Sequence, residues 1–241
     1  MDKVRIAVAG SGSIGVRHIE EVQRSQGAVL SAIIDPSPKA IEVGQREDAP
    51  VYRSLSEFIA SHRPDGVVLA TPNQMHVEQG LQCIAAGVPV LIEKPIAHTL
   101  EDGARLVQAA ERANVRLLVG HHRRHSRILH KAVEIVQSGV LGQLVAVMGS
   151  AAFYKPDSYY DGPFVWRKQP GGGPILLNTI HEVDNLRAVV GEIVAAQAMA
   201  SSAIRKFPVE DTVARSNISS RLFVATPILW SPGATGCKTC V

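Results

Sequence analysis

"VRIAVAGSGSIGVRHIE", residues 4–20, decides the fold. Apart from Arg5, the run Val4–Ala9 is apolar, which predicts a buried strand, and Ile14–Ser25 has the spacing of an amphipathic helix. Between them stands Gly10-x-Gly12-x-x-Gly15. Glycines at this spacing recur by chance in loops, so the flanks carry the weight: a strand before, a helix after, and an acid downstream. Gly10 permits the tight turn, Gly12 lets backbone approach a pyrophosphate, and Gly15 lets helix and strand pack closely. The first amides of the helix, at Ser13 and Ile14, then face anionic phosphates. Asp35 ends the next apolar run, 20 residues beyond Gly15. A carboxylate there accepts the ribose hydroxyls of NAD and repels the 2′-phosphate of NADP, so NAD is the expected cofactor. The other reading of Asp35, a strand-end turn residue before Pro36, does not explain the glycines.

The same alternation continues outward. Ala28–Ile34, Gly66–Ala70, Val88–Ile92 and Val115–Val119 read as further strands, near-continuously apolar as in a parallel sheet covered on both faces. Pro38–Arg46, Leu55–Ser61, Met75–Ala86 and Leu100–Ala113 read as helices, the last opened by Thr99 with Glu101 and Asp102. The fold class is therefore α/β, with a Rossmann-type doubly wound parallel sheet over residues 1–120. Residues 121–241 read as a second, α+β domain: a helix over Arg123–Ser138, a strand over Gln143–Ala152, an irregular stretch from Phe153 to Pro174, a helix over Asn178–Val190 and a strand over Val194–Ser202.

Composition narrows the function classes. Of 241 residues 46% are hydrophobic and 20% charged, and the net charge of +3 is too mild to imply a nucleic-acid partner. No apolar run reaches the roughly 18 residues that span a bilayer. The chain enters its first strand at once, which argues against a secretory leader, and three cysteines make no disulfide framework. The cytoplasm is the expected compartment.

Two segments close strands on the ligand side of such a sheet. "ATPNQMH", residues 70–76, brings Thr71, Asn73 and His76 towards a cofactor, with Asn73 also suited to capping the next helix. "VLIEKPIAHT", residues 90–99, ends a buried strand in Glu93-Lys94-Pro95, so both Glu93 and Lys94 are expected at the cofactor. A lysine at a strand end is ordinarily just solvated. Beside a nicotinamide pocket, partial burial and a neighbouring cation would make it a workable proton donor and acceptor.

Together, Gly10 to His18 (GxGxxGxxH), Thr71 to His76, Glu93-Lys94-Pro95 and "GGGPILLNTIHEVDNLR", residues 171–187, resemble the glucose–fructose oxidoreductase, inositol dehydrogenase and MocA family. The resemblance runs from Val4 to about Asp211. It implies a Rossmann domain followed by a domain with a large open antiparallel sheet, homo-oligomers built through that sheet, and hydride exchange between NAD(P) and a sugar, polyol or related hydroxy compound. By position, Lys94 matches the family's catalytic lysine and His181 its catalytic histidine. Many relatives place an aspartate four residues before the histidine. Here Leu177 stands there, with Asn178 beside it, so Asn178 is expected only to orient a hydroxyl or His181. The proton relay then rests on Lys94 and His181.

"GHHRRHSR", residues 120–127, lacks the spacing of a zinc site and the aromatics of a nucleic-acid patch, so Arg123 and Arg124 are expected to meet polar groups of the substrate. No metal is expected. Tyr154, Tyr159 and Trp166 suit either a sugar-facing wall or a core. After Thr212 the pattern degrades. Pro227, Pro232 and Gly233 are expected to interrupt any strand ladder, Cys237-x-x-Cys240 has no second pair, and the resemblance implies roughly a hundred further residues. The expectation is a truncated or frameshifted product, irregularly packed beyond 212. A non-catalytic dinucleotide-binding protein, or an inactive fragment of such an enzyme, is the competing reading.

Overall fold

The computed structural model describes residues 3–148, 154–219 and 223–228. The chain divides into two compact units, residues 1–120 and 121–241.

The first unit is a six-stranded parallel sheet in the order β3-β2-β1-β4-β5-β6. Its strands are β1 (Val4–Ala9), β2 (Ala28–Ile34), β3 (Val51–Tyr52), β4 (Gly66–Leu69), β5 (Val90–Glu93) and β6 (Leu117–Gly120). Helices α1 (Ser13–Arg24), α2 (Lys39–Arg46), α3 (Leu55–Ser61), α4 (His76–Ala85) and α5 (Leu100–Ala113) cross between them. The order reverses between β1 and β4, which is where doubly wound sheets open a crevice beyond the strand ends.

Alternate residues of β1 supply two separate cores. Ala7 and Ala9 join Leu69, Ile92 and Leu106 on one face, while Val8 joins Ile19, Ile33 and Val68 on the other. That two-sided burial is why these strands lack a polar face. Thr99 caps α5 by accepting the Asp102 amide at 3.1 Å, as its sequence predicts. β3, only two residues long at the sheet's edge, carries no readable pattern and goes unpredicted.

The second unit holds a four-stranded sheet in the order β7-β10-β9-β8, from β7 (Ala146–Met148), β8 (Ile193–Ser201), β9 (Thr212–Ser219) and β10 (Phe223–Ile228). Helices α6 (Arg127–Gln137) and α7 (Ile180–Val190) accompany it. Leu186 and Val190 of α7 form its small core with Leu144, Val147, Val189 and Ile193.

The sequence expectation for the tail is corrected in part. β10 runs through Pro227, which faces Ala214 of β9. Among the described residues β7 pairs only with Phe223–Ala225. Residues 149–152 of the strand expected over 143–152, together with Trp230, Pro232, Gly233, Cys237 and Cys240, lie outside the described residues.

Candidate active site

The glycine loop leaves β1 with a backbone that other residues would not tolerate. Gly10 has φ +91°, and a Cβ there would stand 2.5 Å from the Ala70 carbonyl oxygen. A Cβ on Gly15 would stand 1.8 Å from the Gly10 carbonyl oxygen. Gly12 differs, because a Cβ there meets nothing within 4 Å. Gly10 and Gly15 are therefore glycines for internal packing, whereas Gly12 borders open space that a pyrophosphate can enter. Ser13 and Ile14 open α1 there, directly after Gly12 at the N-cap.

Asp35 stands at the end of β2 and reaches back to this loop. Its Oδ2 accepts the Ser11 amide at 2.7 Å and the Ser11 hydroxyl at 2.8 Å, and its Oδ1 accepts the Ser37 amide at 2.8 Å. Burial alone would raise its pKa, but the hydrogen bonds from Ser11 and Ser37 outweigh it and hold the carboxyl below its usual range. The group is thus an anion, and a carboxylate has about four acceptor sites, so it can still accept a ribose hydroxyl. These residues fit NAD.

The next strand ends carry the remaining crevice residues. Thr71 is half-buried and donates its hydroxyl to Gln79 Oε1 at 2.6 Å. Asn73 is buried and opens a short 3₁₀ turn, Asn73–Met75, so the expectation that it caps the following helix is corrected: Met75 holds the N-cap of α4. His76 is corrected too. It is 1% exposed, with Nδ1 2.8 Å from the Pro95 carbonyl and Nε2 2.9 Å from the Thr71 carbonyl, so neither ring nitrogen is turned to a cofactor.

At the end of β5, Glu93 is buried and its Oε1 lies 2.8 Å from His18 Nε2, while Oε2 accepts the Lys94 amide at 3.2 Å. Burial pushes the Glu93 pKa up, and the hydrogen bond and charge of His18 more than reverse that. A Cβ on Gly120 would stand 2.9 Å from Glu93 Oε1, so β6 leaves the carboxylate its room. Glu93 therefore serves the turn internally, correcting its expected place on the cofactor. Lys94 itself is half-buried.

The second unit gathers the other expected residues around α7. The helix is preceded by a π-helical turn, Ile175–Thr179, a form concentrated at functional sites; it contains Leu177 and Asn178. Glu210 Oε1 accepts the Ile175 amide at 2.8 Å, and a Cβ on Gly173 would stand 2.3 Å from that oxygen, which explains a glycine there. His181 is buried in the first turn of α7, with the His122 ring edge-on at 4.9 Å and the His121 ring at 6.3 Å.

Arg123 and Arg124 do not stand ready for substrate. Arg123 pairs with Glu182, and Arg124 Nε donates to Asp184 Oδ2 at 2.8 Å, with His121 Nδ1 3.7 Å from the same oxygen. The segment's charge braces α7. In the irregular stretch, Tyr159 lies 3.9 Å beneath the Arg167 guanidinium, with Phe164 and Trp166 also against that group, while Tyr154 is exposed. Among the described residues no set of three or more acidic, His or Cys side chains is placed to hold a metal.

Comparison with known proteins bears on this arrangement. Residues 4–121 match the family described as "Oxidoreductase family, NAD-binding Rossmann fold", and residues 129–215 match the "GFO/IDH/MocA C-terminal domain". The WlbA dehydrogenase of Bordetella pertussis, solved with NADH and UDP-GlcNAcA, is 30% identical with a TM-score of 0.89, over 94% of this chain and 70% of that one. The chain belongs to the Gfo/Idh/MocA oxidoreductase family.

As a Gfo/Idh/MocA protein it also resembles the rhizopine catabolism protein MocA of Rhizobium meliloti, 27% identical over 80% of this chain and 59% of the relative. Inositol 2-dehydrogenase of Corynebacterium glutamicum is 27% identical over 92% of this chain and 62% of its own length. The chain thus spans less than two thirds of either curated relative.

Proposed function

We propose that this Gfo/Idh/MocA chain is an NAD-dependent dehydrogenase acting on a secondary alcohol of a sugar, polyol or sugar acid. The observation that carries the reading is the set of strand ends at the β1/β4 switch point. Open space at Gly12, the ionised Asp35 and the half-buried Lys94 all lie on the carboxyl edge of one sheet. Inositol dehydrogenases and a nucleotide-sugar dehydrogenase among the relatives support the substrate class.

NAD, when bound, supplies the hydride acceptor. Asp35 orients the adenosine ribose and sets NAD above NADP by repelling a 2′-phosphate. The glycine loop and the α1 N-terminus carry the pyrophosphate. As the substrate's C–H bond gives up hydride, its hydroxyl proton passes to the amine of Lys94; His181, in the second unit, matches the family's catalytic histidine by position. A cation beside that oxygen offsets the developing alkoxide charge. Proton transfer of this kind contributes about 10²–10⁴-fold. Arg123 and Arg124 act at one remove, by fixing the helix that carries His181.

The exposed run Val194–Ser201 along β8, at the sheet's edge among the described residues, supports self-association through the second unit. Sedimentation velocity tests that part; a monomer at all concentrations ends it.

The function is tested by NADH formation from NAD against a panel of inositols, hexoses and UDP-linked uronic acids, alongside NADH binding by fluorescence. The account expects binding and turnover of at least one class. Binding without turnover by any of them identifies a non-catalytic dinucleotide-binding protein instead, and absence of binding removes the reading altogether.

A further inference from the structure

His76 is a buried, ionisable group on the crevice side of the first unit that the mechanism does not use. It begins α4, is 1% exposed, and has a carbonyl oxygen within 2.9 Å of each ring nitrogen. The two carbonyls belong to different turns. Thr71 follows β4, and Pro95 follows β5 directly after Lys94. On the other side of Lys94, Glu93 Oε2 accepts the Lys94 amide and Oε1 is held by His18. The lysine's backbone is therefore bracketed, by a histidine-held carboxylate before it and a histidine-held carbonyl after it.

The alternatives for a buried imidazole are fewer than usual here. It is not a metal ligand, since both nitrogens face carbonyl oxygens and no metal-holding set lies among the described residues. It is not plain filling, because an apolar side chain of that size would leave the carbonyl that the ring N–H serves without that donor. A neutral ring with its proton on Nδ1 donates to the Pro95 carbonyl, which by itself joins the turn after β5 to the start of α4, five residues beyond Thr71; only the protonated ring donates to both carbonyls. The Thr71 turn is in turn pressed on the glycine loop, where only a missing Cβ at Gly10 allows Ala70 its place.

We propose that His76 is a positioning residue for Lys94, tying the turn that carries the lysine to the turn that packs against the cofactor loop. The inference rests on the reading of Lys94 as a proton-transfer group. A misplacement of about 1 Å at such a group costs roughly 10²-fold in rate.

The test compares His76→Leu, which has no donor, with His76→Gln, which retains one. Lysines of the full chain are reductively methylated with a ¹³C label, and the Lys94 methyl signal is identified by its loss in Lys94→Arg. The account predicts that His76→Leu moves the Lys94 signal towards that of exposed lysines and leaves the other lysine signals in place, with NADH affinity within a few-fold. His76→Gln should restore the signal in part. With a turned-over substrate, kcat falls roughly 10²-fold in His76→Leu while KM changes little. A Lys94 signal and kcat untouched by His76→Leu in a folded protein overturn the inference. If Lys94→Ala itself keeps full turnover, the reading of Lys94 fails, whatever His76 does. Because His76→Gln keeps a donor, it supplies the comparison if His76→Leu does not fold, and a wild-type Lys94 signal together with wild-type kcat in that variant also count against the proposal.

Discussion

The carboxylate of Asp35 holds Ser11 twice, by its amide at 2.7 Å and by its hydroxyl at 2.8 Å, across 24 residues of chain. The residue that would select the ribose is thus also the one that shapes the glycine loop. Asp35→Ser should weaken NAD binding by about 10- to 10²-fold, through one lost charge-assisted hydrogen bond worth about 1.5–3 kcal/mol, and should narrow the gap to NADP. Isothermal titration with both cofactors checks it. Equal affinities in the unaltered protein contradict the assignment.

Stability should fall as the solution is acidified, in two stages of the same sign. Burial pulls His76 below its ordinary 6.5, so the unfolded chain takes up that proton first and stability declines as pH drops beneath about 6.5. Asp35 and Asp184, held below 3.8, contribute stability that is present above that value and lost as pH falls through their lower folded-state values. Urea midpoints across pH should show both limbs, and His76→Gln should remove the first. A first limb that survives in that variant belongs to another group.

Arg124→Ala should cost stability rather than substrate affinity. The substitution strips a partner from Asp184, which is 8% exposed. The Arg124 side chain is itself 39% exposed and His121 stays near, so the loss should be about 1–2 kcal/mol. A lowered Tm with unchanged KM fits the brace; a raised KM with unchanged Tm restores the substrate role that the sequence suggests.

Cys83 is fully buried in the first unit's core, and burial pushes its thiol up to about 12. It should resist alkylation at pH 8 until the chain unfolds, as peptide mapping would show. Because the folded state keeps the proton, its contribution to stability declines as pH rises above the ordinary 9.0. Rapid alkylation of Cys83 in the native protein would show that this core opens.

The strands of the first unit were legible because burial on both faces leaves an almost uninterrupted apolar run, as in Val4–Ala9 and Gly66–Leu69. Gly10 and Gly15 were legible because each answers to a steric demand in the folded chain. Directions of side chains were not. Spacing puts His76 and Glu93 on the crevice rim, but only the folded chain turns His76 onto two carbonyls and Glu93 onto His18, 75 residues away. Arg123 and Arg124 read as free cations because their acidic partners lie 59 and 60 residues further on. Pro227 reads as a strand breaker, yet β10 runs through it and pairs it with Ala214 of β9.

The central claim is that Lys94 transfers the proton while the glycine loop and Asp35 hold NAD. Steady-state turnover and NADH dissociation constants of Lys94→Ala, measured on the same preparation as the unaltered chain, test it most directly. The account predicts that kcat falls by about 10²–10⁴-fold with the dissociation constant within a few-fold. A variant that keeps its rate and loses its cofactor would show that Lys94 serves binding or structure, and would contradict the claim.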